Sequence, residues 1–192
     1  MKEIHCKDRK ALRKWLEKNY ESKESVWLII HKKNSTRGIL SYNDAVEEGL
    51  CFGWIDSKPN KRDDDSYYVY FSVRSPKSKW SAVNKEKIER LMKNGLMMPA
   101  GLQLIELAKQ SGTWDALNDV DAIVIPEYMQ TLLQKNTIAK ANFNAFPKSV
   151  KQGILQWISN AKTTTTRNKR IEETIMLAAE NKRALQYPKP KK

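Results

Sequence analysis

Ten consecutive residues, Glu47-Glu48-Gly49-Leu50-Cys51-Phe52-Gly53-Trp54-Ile55-Asp56, constrain the chain more than any others. Ser41 followed by Asp44 has the form of a capping box, and Tyr42, Val46 and Leu50 recur at helical spacing. The spacing therefore predicts a helix over 41–52 with Glu47 and Glu48 on its flank. Gly53 stops it, because glycine tolerates positive φ. Trp54-Ile55-Asp56 then opens a strand broken at Pro59. The continuation, Arg74-Ser75-Pro76-Lys77-Ser78-Lys79-Trp80-Ser81, is a basic, serine-rich turn ahead of another capped helix. A helix stop, a buried aromatic and paired carboxylates at one corner suit an α+β domain.

The rest of the chain agrees. Asp8 caps a helix over 8–20 with the stripe Leu12, Trp15, Leu16. Val26 to Ile30 reads as a buried strand. Lys58 to Asp65 is a charged turn, read as a solvated hairpin tip rather than a metal loop. In the strand after it, Val69, Phe71 and Val73 alternate with Tyr68, Tyr70, Ser72 and Arg74. The second set mixes aromatic and basic groups, as an anion-binding or base-stacking surface does. Ser81 caps a helix carrying Ile88, Leu91 and Met92, and Gly95 closes it. Helices follow from Pro99, from Pro126, from Pro147 and over 167–185, the Pro147 helix with the stripe Val150, Ile154, Trp157, Ile158, Ala161. The expected fold is α+β. A small, mainly antiparallel sheet from 25–33, 54–58 and 66–74 is flanked by helices in residues 1–95. A helical lobe covers 96–186, and 187–192 is a disordered tail.

Lys and Arg total 35 against 22 Asp and Glu, a net charge of +13. That excess favours anionic partners, either small molecules or nucleic acid. The charged N-terminus has no apolar leader and no apolar run is long enough to span a bilayer, so a cytoplasmic protein is expected. Two cysteines and two histidines form no zinc spacing, and no phosphate-loop or dinucleotide fingerprint occurs, so no metal and no cofactor is expected.

The chain resembles the YdeI/OmpD-associated family of bacteriocin-protection proteins over about residues 8–180. Trp27, Tyr42, Ala45 to Glu48 and Leu50 to Asp56 carry the resemblance, with Trp80-Ser81, Asn84, Pro99-Ala100-Gly101, Trp157-Ile158 and Thr166 to Ile171. The family pattern has Arg at Tyr70 and Pro-Arg-Arg at Val73-Arg74-Ser75, so this chain keeps only Arg74. The resemblance implies a link to stress or to bacteriocin and antimicrobial-peptide resistance and names no reaction.

The residues themselves point to a ligand site of Lys32, Lys33, Trp54, Asp56, Arg74, Ser78, Trp80, Ser81 and Asn84. Arg74 and the turn lysines precede a helix N-terminus whose free N–H groups favour an anion. The competing reading is that Ser81 only caps, Arg74 pairs with Asp56, and Trp54 and Trp80 are core. Two other functions stay open. Arg167, Lys169 and Arg170 oppose the dipole of the last helix and suit nucleic acid. Glu47, Glu48 or Asp56 suits an enzyme's general base.

Overall fold

The computed structural model describes residues 2–22, 24–32, 35 and 40–185. Lys33 and the 187–192 tail lie outside them. The chain divides into two units, Met1–Ala116 and Leu117–Lys192, each with its own apolar core. The first unit thus includes the helix Pro99–Gln110, which the sequence reading places beyond a boundary at 95.

In the first unit the elements run β1 (Lys2–His5), α1 (Arg9–Asn19), β2 (Val26–His31), α2 (Tyr42–Cys51), β3 (Trp54–Lys61), β4 (Ser66–Val73), α3 (Ala82–Lys93) and α4 (Pro99–Gln110). The fold is α+β, with one four-stranded sheet in the order β1-β2-β4-β3. β4 pairs antiparallel with both β2 and β3, and β1 adds a parallel edge to β2. β1 is not expected from the sequence, because Lys-Glu-Ile-His offers one apolar side chain, Ile4, and pairing with β2 supplies the rest. β3 continues past Pro59 to Lys61, with an irregularity between Asp56 and Pro59. A proline is tolerated there because β3 is an edge strand.

Alternation sorts the sheet into two faces. Leu28, Ile30, Val69, Phe71 and Trp54 join the core with Leu12 and Leu16 of α1. Trp27, Ile29, Tyr68 and Tyr70 occupy the opposite face. Asp8 caps α1 by accepting from the Ala11 amide at 2.7 Å. Ser41 and Ser81 cap α2 and α3 in the same way. Gly53 sits at φ +75°, the left-handed conformation that ends α2. Gly101 in α4 allows a close approach: a Cβ there would overlap the Cys51 carbonyl oxygen and lie 2.7 Å from that of Leu50.

α2 departs from its expected pattern. Tyr42 is exposed and every residue from Ala45 to Cys51 is buried, Glu47 and Glu48 included. α1, α3, α4 and β3 all pack against this helix, so its flank is interior too.

In the second unit the elements are α5 (Asn118–Asp121), α6 (Glu127–Lys135), α7 (Thr137–Ala145), α8 (Lys148–Ser159) and α9 (Thr164–Ala179). α9 starts before the expected position because Thr163 caps it, accepting from the Thr166 amide at 3.1 Å. Met129, Phe143, Ile154, Ile158, Ile171 and Ala178 centre this core. Among the described residues no helix is long and apolar enough to cross a membrane.

Candidate functional site

The site builds up from the end of β4. The Arg74 amide donates to the Gly53 carbonyl at 2.9 Å, which ties the start of the turn to the corner after α2. The strand has ended at Val73, so alternation no longer governs the next side chain. Arg74 therefore does not share a face with Tyr68 and Tyr70 as the sequence reading expects. Its guanidinium lies 3.7 Å over the ring of Trp80, a member of the core cluster. Nη2 donates to the Lys79 carbonyl at 2.6 Å.

Arg74 is only 2 % exposed. Its Nε and Nη1 are buried and have no hydrogen-bond partner among the described residues. Burial pushes this guanidinium down to about 10, and the Asp56 carboxylate pulls in the opposite direction. The group stays charged at neutral pH. Desolvating such a charge costs several kcal/mol. A desolvated cation–π contact returns about 2 kcal/mol and one charge-assisted hydrogen bond about 1.5–3 kcal/mol. Two of three nitrogens are left without compensation.

Trp80 is buried, 5.3 Å from the ring of Trp114. Ser81 follows as the N-cap of α3 and accepts from the Asn84 amide at 3.4 Å. Ser78 is half-buried in the turn, its amide donating to the Ser75 carbonyl at 2.9 Å. Arg74, Ser78, Trp80, Ser81 and Asn84 thus follow one another on the turn after β4 and the first turn of α3.

Among the described residues Asp56 does not form the ion pair with Arg74 that the competing reading requires. It accepts from the Tyr42 hydroxyl, and burial, with this carboxylate, pushes that hydroxyl up. Trp54 is fully buried, edge-on to Trp15 at 5.5 Å, and donates to the Tyr20 carbonyl at 3.1 Å. It is core, not a ligand platform. Lys32 is not brought to Arg74 either. Its Nζ donates to the Asp64 carbonyl at 2.8 Å, in the turn between β3 and β4. Ser66 opposite His31 begins β4 and Arg74 follows its end, roughly 27 Å along an extended chain.

The carboxylates proposed as bases are held by cations. Glu48 accepts from Arg9 Nε at 2.7 Å and from Arg13 Nη1 at 3.0 Å. Glu47 accepts from Arg9 Nη1 at 2.9 Å and from Arg90, with Asn43 at 2.8 Å. Asp44 joins Arg9 at 3.2 Å. Every oxygen of Glu47 and Glu48 thus faces a guanidinium. The sequence reading misses Arg9, Arg13 and Arg90 as partners. Arg9 and Arg13, one turn apart on α1, are the signal for a shared acidic partner. Cys6 and Cys51 are buried free thiols, both pushed up to about 11 by burial. Among the described residues no three His, Cys, Asp or Glu side chains group as a metal site.

The C-terminal cations are separate groups. Arg170 donates to the Trp157 carbonyl and stacks 5.0 Å over that ring, fastening α9 to α8. Arg167 borders a cleft of about 270 Å³ lined with Val120, Leu155 and Ile158. Lys169 is exposed. Replacing Arg167 and Lys169 with Gln is expected to leave unfolding within about 0.5 kcal/mol of wild type. Arg170→Gln is expected to cost about 1–2 kcal/mol, by loss of its hydrogen bond and ring contact. Thermal unfolding of each variant checks both, and equal losses would refute the division.

The chain belongs to the family described as domain of unknown function DUF8412, whose model matches residues 4–104, more than half of its length. Residues 122–181 match a second family model, Bacteriocin-protection, YdeI or OmpD-Associated. The second unit thus carries the YdeI/OmpD-associated domain that its sequence resembles. Comparisons with curated proteins and with solved structures give no match.

Proposed function

We propose that this protein binds a small anionic ligand, a carboxylate or phosphate, through Arg74 on the turn between β4 and α3. One observation carries the reading: Nε and Nη1 of Arg74 are buried without a hydrogen-bond partner among the described residues. Nearly all buried polar groups are paired, and an exception at a charged group points to a missing partner. A planar guanidinium donates from Nε and from both terminal nitrogens, so Nε and Nη1 offer separate edges to the oxygens of a carboxylate or phosphate. The N-terminus of α3 at Ser81 adds favourable partial charge. Ser75, Pro76 and Lys77 on this turn are exposed. The +13 net charge raises the encounter rate. The description of the matched C-terminal domain supports a role in resistance to bacteriocins, and a cytoplasmic location is part of this reading. Calorimetric titration with inorganic phosphate and with acetate tests it. Saturable heat that is lost in an Arg74 variant is expected; no heat with either anion counts against the site.

A second reading is favoured by the sheet. Trp27 lies 5.8 Å from the ring of Tyr68 and 5.3 Å from that of Tyr70, and Arg62 lies 5.8 Å over Tyr68. Aromatic rings beside a cation form a stacking surface for single-stranded nucleic acid. Binding of a labelled oligonucleotide should then weaken steeply with salt and fall further in Trp27→Ala. Salt-independent or absent binding removes this reading.

A further inference from the structure

The chain has two histidines, and the parallel pairing of β1 with β2 brings both to one place. His5 is opposite Ile29 in the register, so His31 is its diagonal neighbour on the same sheet face. Their Nε2 atoms are 3.1 Å apart. The rings meet edge-on at 81°, with centroids 5.1 Å apart. On the far side of His31, Nδ1 lies 3.4 Å from Asp65 Oδ2. Ser35 Oγ is 3.4 Å from the same Nδ1 and donates to Asp65 at 2.7 Å. A carboxylate at Nδ1 keeps the proton on that nitrogen and leaves Nε2 of His31 with its lone pair.

We propose that His5 and His31 hold a divalent first-row transition metal ion between their Nε2 atoms, with Asp65 orienting His31 from behind. An ion about 2.05 Å from both nitrogens would see them at an angle of about 98°, between the square-planar and tetrahedral values. Imidazole nitrogens suit Zn(II), Cu(II) and Ni(II). Without metal, one Nε2–H of the pair occupies the space between the rings: His5 donates it to His31. Metal takes that place, and His5 moves its proton to Nδ1, so two neutral imidazoles bind the ion with no net proton release. The surrounding cleft of about 240 Å³, lined by His5, Ile29, His31 and Arg62, has room for water on the remaining positions. Arg62 is the cation facing the ion, and its Nη1 pairs with Asp63 at 2.8 Å. No third His, Cys, Asp or Glu among the described residues joins the pair, so the ion is exchangeable rather than structural.

The test is calorimetric titration of the full, untagged chain with zinc, nickel or copper chloride in a non-coordinating buffer at neutral pH. One ion per chain is expected, with copper the tightest. His5→Ala and His31→Ala should each weaken binding at least about tenfold, and Asp65→Asn by about 10–100-fold, the usual effect of losing such an orienting partner. The ion should also raise the melting temperature of wild type and not of the histidine variants. Should a variant fold poorly, the electron paramagnetic resonance spectrum of the wild-type copper complex still counts coordinated imidazoles, with two expected. No heat from the folded wild type overturns the proposal. So does binding that both histidine variants retain, a spectrum with fewer than two imidazoles, or a cleft that takes up phosphate and not metal.

Discussion

Glu48→Ala is expected to lower the unfolding free energy by about 3 kcal/mol, at the lower end of the range for breaking a buried ion pair from one side. Glu48 is 2 % exposed and holds two guanidinium groups of α1, Arg9 at 2.7 Å and Arg13 at 3.0 Å. Removing the carboxylate leaves both cations in partly desolvated positions, and one terminal nitrogen of Arg9 is already buried without a partner among the described residues. The loss stays near the lower end because neither arginine is stranded completely. Arg9 keeps Glu47 at 2.9 Å and Asp44 at 3.2 Å, and Arg13 keeps the Leu96 carbonyl at 3.0 Å. Water also reaches part of each guanidinium. Denaturant unfolding measures the effect, and an Arg13→Met/Glu48→Met double variant separates its causes. That double variant should recover much of the loss, since an apolar replacement of a buried pair is often neutral. A Glu48→Ala loss under about 1 kcal/mol would show that the network adds nothing to stability.

Arg74→Ala is expected to weaken anion binding by about 1.5–3 kcal/mol, or about 10- to 150-fold, the range for a hydrogen bond to a charged group. Stability of the free protein should move differently. In Arg74→Met a flexible apolar chain of similar length replaces a buried cation that, among the described residues, is offset by the Trp80 ring, the Lys79 carbonyl and the charge of Asp56. The melting temperature of the ligand-free variant should then be unchanged or higher, as at sites where function is kept at a cost in stability. Phosphate titration and thermal unfolding of the same two variants check both signs. If Arg74→Met destabilises by about 2 kcal/mol or more, a size usual for losing a buried hydrogen-bonded group, Arg74 is a strut for the turn and the binding site is elsewhere.

What was legible in the sequence was what is decided within a turn or two of chain. Asp8, Ser41 and Ser81 cap helices where their side chains reach the next turn's amides, and Gly53 and Gly95 take positive φ where helices stop. Val69 and Phe71 face the core as alternation requires. That Ser81 caps the helix after Arg74, Ser78 and Trp80 was legible for the same reason, since the cap closes within one turn. The side chain of Arg74 was misread where a strand rule was carried one residue past the strand's end.

The sequence by itself determined the class of fold and the caps that start its helices. Tertiary structure decided which distant residues meet. The direction of β2 against β4 sends Lys32 to the far end of the sheet from Arg74. The packing of α1 on α2 turns Glu47 and Glu48 from a solvated flank into the acceptors of buried arginines. The added β1 edge joins His5 to His31. Caps and turns depend on hydrogen bonds that close over a few residues. These other arrangements depend on strand register and helix packing, which arise only when segments far apart in sequence bury their apolar faces together.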